Sequence, residues 1–120
     1  MNQVLENFKT DWRNRIKRKE YSYMLGSPLN LAILSEIGLV EGREEICFEE
    51  ICDRVPKKLG SRSSILSVLN DGVMFKYLDK RVSKRDRRLR VYEFSKGFSR
   101  YWHHWIEQLG NSCCFRASSA

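Results

Sequence analysis

The chain has 120 residues, 42% of them hydrophobic and 31% charged, with a formal net charge of +7. It is too apolar for a disordered chain and too short for more than one ordinary domain. No apolar run approaches the roughly 20 residues that cross a bilayer, and no apolar segment of signal-peptide type precedes the N-terminal charges, so a cytoplasmic protein without membrane contact is expected.

In chain order, residues 1–25 read as an amphipathic helix. Val4, Phe8, Trp12 and Ile16 repeat at helical spacing, joined by Leu5, and Gly26 with Ser27-Pro28 ends the pattern. Ser27 is placed to cap the next helix, with Pro28 at its first position. Leu29, Leu31, Ala32, Ile33, Leu34 and Ile37 make that helix apolar almost all round, a central core helix expected to end at Gly38. Ile46-Cys47-Phe48 reads either as a short strand or as the start of a helix over Phe48 to Arg54, which Pro56 stops. Ser61 then caps a further helix whose Ile65, Val68 and Leu69 face inward, with Arg62, Ser63, Ser67 and Asn70 outward.

Tyr77, Leu78 and Val82 read as a strand, with Leu89, Val91, Tyr92 and Phe94 as its antiparallel return and Ser83 to Arg88 as the tip. Ser95 opens a last helix carrying Phe98, Tyr101, Trp102, Trp105, Ile106 and Leu109. Gly110-Asn111-Ser112 is expected to stop it. The resulting fold class is mainly α with a small β-hairpin. Residues 1–110 form one domain: 1–25 the N-terminal helix, 27–94 a helix-turn-helix plus wing, and 95–110 the aromatic helix. Residues 111–120 read as a flexible tail.

Charge is unevenly placed. Lys76, Lys80, Arg81, Lys84, Arg85, Arg87, Arg88 and Arg90 are opposed only by Asp79 and Asp86, whereas Glu41, Glu44, Glu45, Glu49 and Glu50 crowd the segment before them. Such separation presents a basic patch suited to a polyanion. The four cysteines, Cys47, Cys52, Cys113 and Cys114, lack the spacing of a zinc site, and at least one of Cys47 and Cys52 should be buried. His103 and His104 lie in the aromatic helix with no nucleophile nearby, which favours a core or interface role. No phosphate loop, paired catalytic carboxylates or metal-ligand spacing is present, so neither an enzyme nor a metal or cofactor is expected.

The runs Ser61-Arg62-Ser63-Ser64-Ile65, Val68-Leu69, Tyr77-Leu78, Asp86-Arg87-Arg88 and Phe94-Ser95 followed by Gly97 together resemble the MarR-like winged-helix transcription regulators. The order of elements fits nearly the whole chain, and the motifs cover about Ile51 to Gly97. Lys76 stands where the family has a glycine ending its recognition helix, and Gly72 stands at a normally apolar position, which predicts an early break. The resemblance implies a DNA-binding regulator that dimerises through its N- and C-terminal helices. Members often bind small effectors, but no residue here identifies such a pocket.

The chemistry of the residues adds detail. The first turns of a helix in the major groove present Arg62, Ser63, Ser64 and Ser67 to bases, and only Arg62 has the fork that reads guanine bidentately. Lys84, Arg85, Arg87 and Arg88 suit phosphates or a narrow minor groove, with Asp86 holding a neighbouring guanidinium. A homodimer interface is expected from Val4, Phe8, Trp12 and Ile16 against Phe98, Tyr101, Trp105 and Leu109, with packing of the two stripes within one chain as the alternative. The partner is then double-stranded DNA. The alternative is a winged helix used for protein contacts with weak or no DNA binding, and RNA is a third partner class.

Overall fold

The structure, a computed structural model, describes residues 19–112. Its elements are α1 (Lys19–Met24), α2 (Pro28–Val40), α3 (Phe48–Arg54), α4 (Arg62–Met74), β1 (Leu78–Val82), β2 (Arg90–Phe94) and α5 (Lys96–Ser112). Residues 1–18, with the stripe Val4, Phe8, Trp12 and Ile16, lie outside the described residues, as does the tail from residue 113. Among the described residues no helix is long and apolar enough to cross a membrane.

Local chemistry sets most helix starts. The Ser27 hydroxyl accepts the Asn30 N–H at 3.2 Å, and the Asn30 amide donates to the Tyr23 carbonyl at 2.7 Å, so one cap also ties α1 to α2. Ser61 caps α4 by accepting the Ser64 N–H at 3.2 Å, and Ser95 caps α5 by accepting the Phe98 N–H at 3.3 Å. At α3 the Glu50 carboxylate accepts the Cys47 N–H at 3.2 Å, half of a capping box. Val55 closes α3 just before Pro56.

Three glycines do not end helices where the sequence suggests. α2 continues through Gly38 to Val40, α4 through Gly72 to Met74, and α5 through Gly110 to Ser112. Glycine ends a helix when the chain turns left-handed there. Gly38 and Gly72 instead make room: a Cβ on Gly38 would lie 2.7 Å from the Trp102 Nε1, and one on Gly72 2.5 Å from the Tyr23 hydroxyl. The left-handed residue after α4 is Lys76, at φ 66°. Around it the Tyr77 N–H donates to the Gly72 carbonyl at 2.8 Å and the Lys76 N–H to the Val73 carbonyl at 3.1 Å, a Schellman closure with lysine in the glycine position.

β1 and β2 pair antiparallel from Leu78↔Phe94 to Val82↔Arg90. Tyr77 and Leu89 fall just outside the strands; the Leu89 carbonyl accepts the Ser83 N–H at 3.0 Å and closes the hairpin. Cys47 bridges Val91, and the Tyr92 N–H donates to the Ile46 carbonyl at 3.0 Å, so the segment before α3 is both a strand fragment and a helix lead-in.

The core gathers around α2. Ile33, Leu34 and Ile37 are buried there with Ile51 of α3, Ile65 and Leu69 of α4, Leu78 and Phe94 of the hairpin, and Phe98 and Trp102 of α5. Leu31 and Val68 pack at its margin. Each fully buried aliphatic chain contributes roughly 1.5–3 kcal/mol, so α2 is the element on which the rest condenses. Aromatic rings continue the core toward α5: Tyr23–Tyr77 at 5.1 Å, Tyr77–Phe98 at 5.4 Å, Phe94–Phe98 and Phe94–Trp102 at 5.3 Å, and Trp102–Trp105 at 5.8 Å.

Candidate nucleic-acid interface

α4 buries Ile65 and Leu69 and leaves Arg62, Ser63, Ser64, Ser67 and Asn70 exposed, as the spacing requires. Ser64 is partly committed, since its backbone and hydroxyl both meet Ser61. Arg62 is more fully engaged. Its guanidinium donates to both carboxylate oxygens of Glu49, at 2.8 and 2.5 Å, and lies 5.0 Å from the centre of the Phe48 ring. That carboxylate sits below its ordinary pKa because of the Arg62 hydrogen bond.

The hairpin tip is built on Glu45, in the loop before α3. Its carboxylate accepts from the Arg81 guanidinium at 2.6 Å, the Ser83 hydroxyl at 2.7 Å and the Lys84 backbone N–H at 3.0 Å, with Arg85 Nε at 3.8 Å. These donors, the Lys84 N–H foremost, pull its pKa down to about 2. Ser83 is buried, and its oxygen also accepts the N–H groups of Arg85 and Asp86 at 3.1 and 3.2 Å. Arg81 donates as well to Glu93 across the strand pair at 2.8 Å.

Asp86 organises the tip itself. It accepts the Arg88 N–H at 3.0 Å and the Arg88 Nε at 3.2 Å, with Nη2 at 3.2 Å on its other oxygen, and Arg88 lowers its pKa. Arg85 and Arg88 nonetheless keep 74% and 88% of their side chains exposed, so cationic edges still face solvent. Lys84 and Arg87 are exposed and, among the described residues, pair with no carboxylate side chain.

Helix and hairpin share a cleft of about 300 Å³. Leu66 of α4, Phe48 and Glu49 of α3, and Lys80, Arg88 and Arg90 of the hairpin are among its walls. Leu66 of α4 and the Lys80, Arg88 and Arg90 side of the hairpin therefore face one cleft.

Glu45 and Ser83 were not expected in this site, and Arg81 was expected only as one more surface cation. Their partners lie 36 to 39 positions apart in sequence, so spacing carries no trace of them. The one hint was the acidic run before α3 facing a basic run later in the chain.

Elsewhere one expectation changes. Phe98 is buried in the chain's own core against Tyr23, Tyr77 and Phe94, and so leaves the set of interface candidates. Tyr101 and Trp105 are half-buried at the core's edge, and Ile106 and Leu109 are exposed. His103 and His104 are both exposed rather than in the core, because the helical period turns them away from Phe98 and Trp102. His103 Nε2 meets the Glu41 carboxylate at 2.6 Å, and the Ser99 hydroxyl donates to the same group at 2.8 Å. Cys47 and Cys52 are buried, and burial raises the Cys52 thiol's pKa.

No protein-family model and no curated protein sequence matches the chain. Among solved structures, Bordetella bronchiseptica BpsR, whose structure concerns regulation of DNA binding by 6-hydroxynicotinic acid, aligns at 13% identity. The alignment covers 87% of this chain and 76% of that one, with a TM-score of 0.52. The chain has a winged-helix fold. Apo, heme-free PefR aligns at 14% identity over 92% and 94% of the two chains, with a TM-score of 0.49. Streptococcus pneumoniae FabT, solved with DNA, aligns at 13% over 99% and 88%, with a TM-score of 0.44. In winged-helix terms α4 is the recognition helix and β1–β2 the wing.

Proposed function

We propose that the protein is a DNA-binding transcription regulator. In this reading Arg62, Ser63, Ser64 and Ser67 enter the major groove, while Lys84, Arg85, Arg87 and Arg88 engage phosphates or the adjacent minor groove. The observation that carries it is the cationic wing tip, braced by Glu45 and Asp86, whose Arg88 lines a cleft together with Leu66 of the recognition helix. Preorganised cations bind a phosphate ridge without first being ordered, and serines on a helix facing a groove donate to phosphates and bases alike.

Tyr101, Trp105 and Leu109, with Ile106, form the described half of the proposed homodimer surface; Val4, Phe8, Trp12 and Ile16 supply the other half. Two copies related by a two-fold axis present two recognition helices to half-sites about one helical turn apart. Selection of bound sequences from a random duplex pool tests both parts. A palindromic enriched site is expected. A single unrepeated half-site contradicts the dimer, and no enrichment over input contradicts sequence-specific regulation.

A further inference from the structure

Two carboxylates of the segment before and within α3 each hold a cation of a DNA-contacting element, and their surroundings differ sharply. The Glu45 side chain is 13% exposed and is held by three hydrogen bonds, one from a backbone N–H. Displacing it would break all three hydrogen bonds at once. The Glu49 side chain is 61% exposed, and among the described residues its hydrogen-bonding partner is Arg62, itself 61% exposed. Both face solvent, and Glu49 stands in the wall of the cleft between recognition helix and wing.

The fork that Arg62 offers Glu49 is the one it would offer the O6 and N7 of guanine or two oxygens of a phosphate. A guanidinium cannot serve both in full. We propose that Glu49 is an autoinhibitory competitor for Arg62, holding its guanidinium fork until a well-placed guanine edge replaces the carboxylate. The proposal rests on the DNA-binding reading above and deepens it. A random sequence offers Arg62 only phosphates or mismatched edges, so Arg62 stays largely on Glu49 and the pair remains neutral. The right guanine offers two acceptors in the geometry Arg62 already holds, over the Phe48 ring. That exchange gives up the ion pair and leaves Glu49 bare beside the DNA, so Glu49 weakens binding most where Arg62 reads guanine and less where Arg62 stays paired.

The test is a fluorescence-anisotropy titration of the full chain with a random duplex and with the enriched duplex, for wild type, Glu49→Gln, Arg62→Ala and the double variant. Circular dichroism melts check that each is folded. Glu49→Gln should tighten enriched-duplex binding about three- to tenfold, and should tighten the random duplex by less. In the Arg62→Ala background the same change should have much less effect, since the competition needs both residues. Wild-type binding with Glu49→Gln unchanged or weaker overturns the competitor while leaving the DNA-binding reading in place. A gain that persists in full without Arg62 also overturns it, since plain charge removal then explains the result. If neither wild type nor Glu49→Gln binds duplex DNA, the reading and the competitor fall together.

Discussion

Glu45 shows how one side chain sets the shape of a charged loop. The wing tip carries cations that repel one another, and a loop of this kind keeps no single form unless an anion is placed among them. Glu45 supplies that anion from outside the hairpin, and Ser83 passes the constraint on to the N–H groups of Arg85 and Asp86. Its pKa, lowered from 4.5 to about 2, lies below the unfolded value, so its contribution is complete above about pH 4.5 and is lost as pH falls through about 2. Protection of the Lys84 amide against hydrogen exchange, relative to its intrinsic rate at each pH, should therefore fall across that acid window. In Glu45→Gln the amide should exchange faster at neutral pH and lose its acid step; protection equal to wild type would show that the tip orders itself. Lys76 makes the converse point. A left-handed lysine is strained, so Lys76→Gly should raise stability by about 0.5–1 kcal/mol and the melting temperature by a few degrees. A lower melting temperature would mean the lysine side chain contributes more than its backbone costs. The Glu45 partnership was not legible in the sequence, because it depends on contacts set by distant packing, whereas the left-handed turn at Lys76 falls where the resembled family has its helix-ending glycine.

At the scale of elements the sequence is a better guide to where helices begin than to where they end. Ser27-Pro28, Ser61 and Ser95 act through hydrogen bonds to residues three positions on, so a local pattern suffices to find them. Glycines are ambiguous by comparison. Gly42 does take a positive φ, at 77°, in the turn after α2, whereas Gly38 and Gly72 are helical and small for the sake of Trp102, Tyr23 and Leu78. The difference lies in a tertiary neighbour. Gly72→Ala tests it: alanine favours helix, yet its methyl would meet the Tyr23 hydroxyl, which donates to the Val68 carbonyl at 2.8 Å, and Leu78 at 2.7 Å. Denaturant titration should show a loss of about 1–3 kcal/mol. Gly110→Ala, with nothing among the described residues within 4 Å of the added methyl, should be neutral or slightly stabilising. Equal effects at both positions would remove the packing explanation. The aromatic helix divides on the same principle: its period placed the stripe correctly, but only the folded core assigns Phe98 and Trp102 to the inside and leaves Leu109 outside.

Across the whole molecule, charge of opposite sign is sorted and then partly recombined. The acidic run before and within α3 neutralises Arg62 and Arg81, the cations nearest the body of the fold, and leaves Lys84, Arg85, Arg87 and Arg88 exposed at the wing tip. A net charge of +7 therefore understates how local the basic surface is. Binding through it should be sensitive to salt and to these few side chains, and less so to the rest of the surface. The measurement that bears most directly on this is the dependence of duplex affinity on salt, compared between wild type and the Arg87→Ala, Arg88→Ala double variant. Wild type should lose affinity steeply and linearly on logarithmic axes. The double variant should bind every duplex more weakly, with a slope shallower by about one for each lost phosphate contact. An unchanged affinity and slope in a folded double variant would contradict the assignment of the wing to nucleic acid.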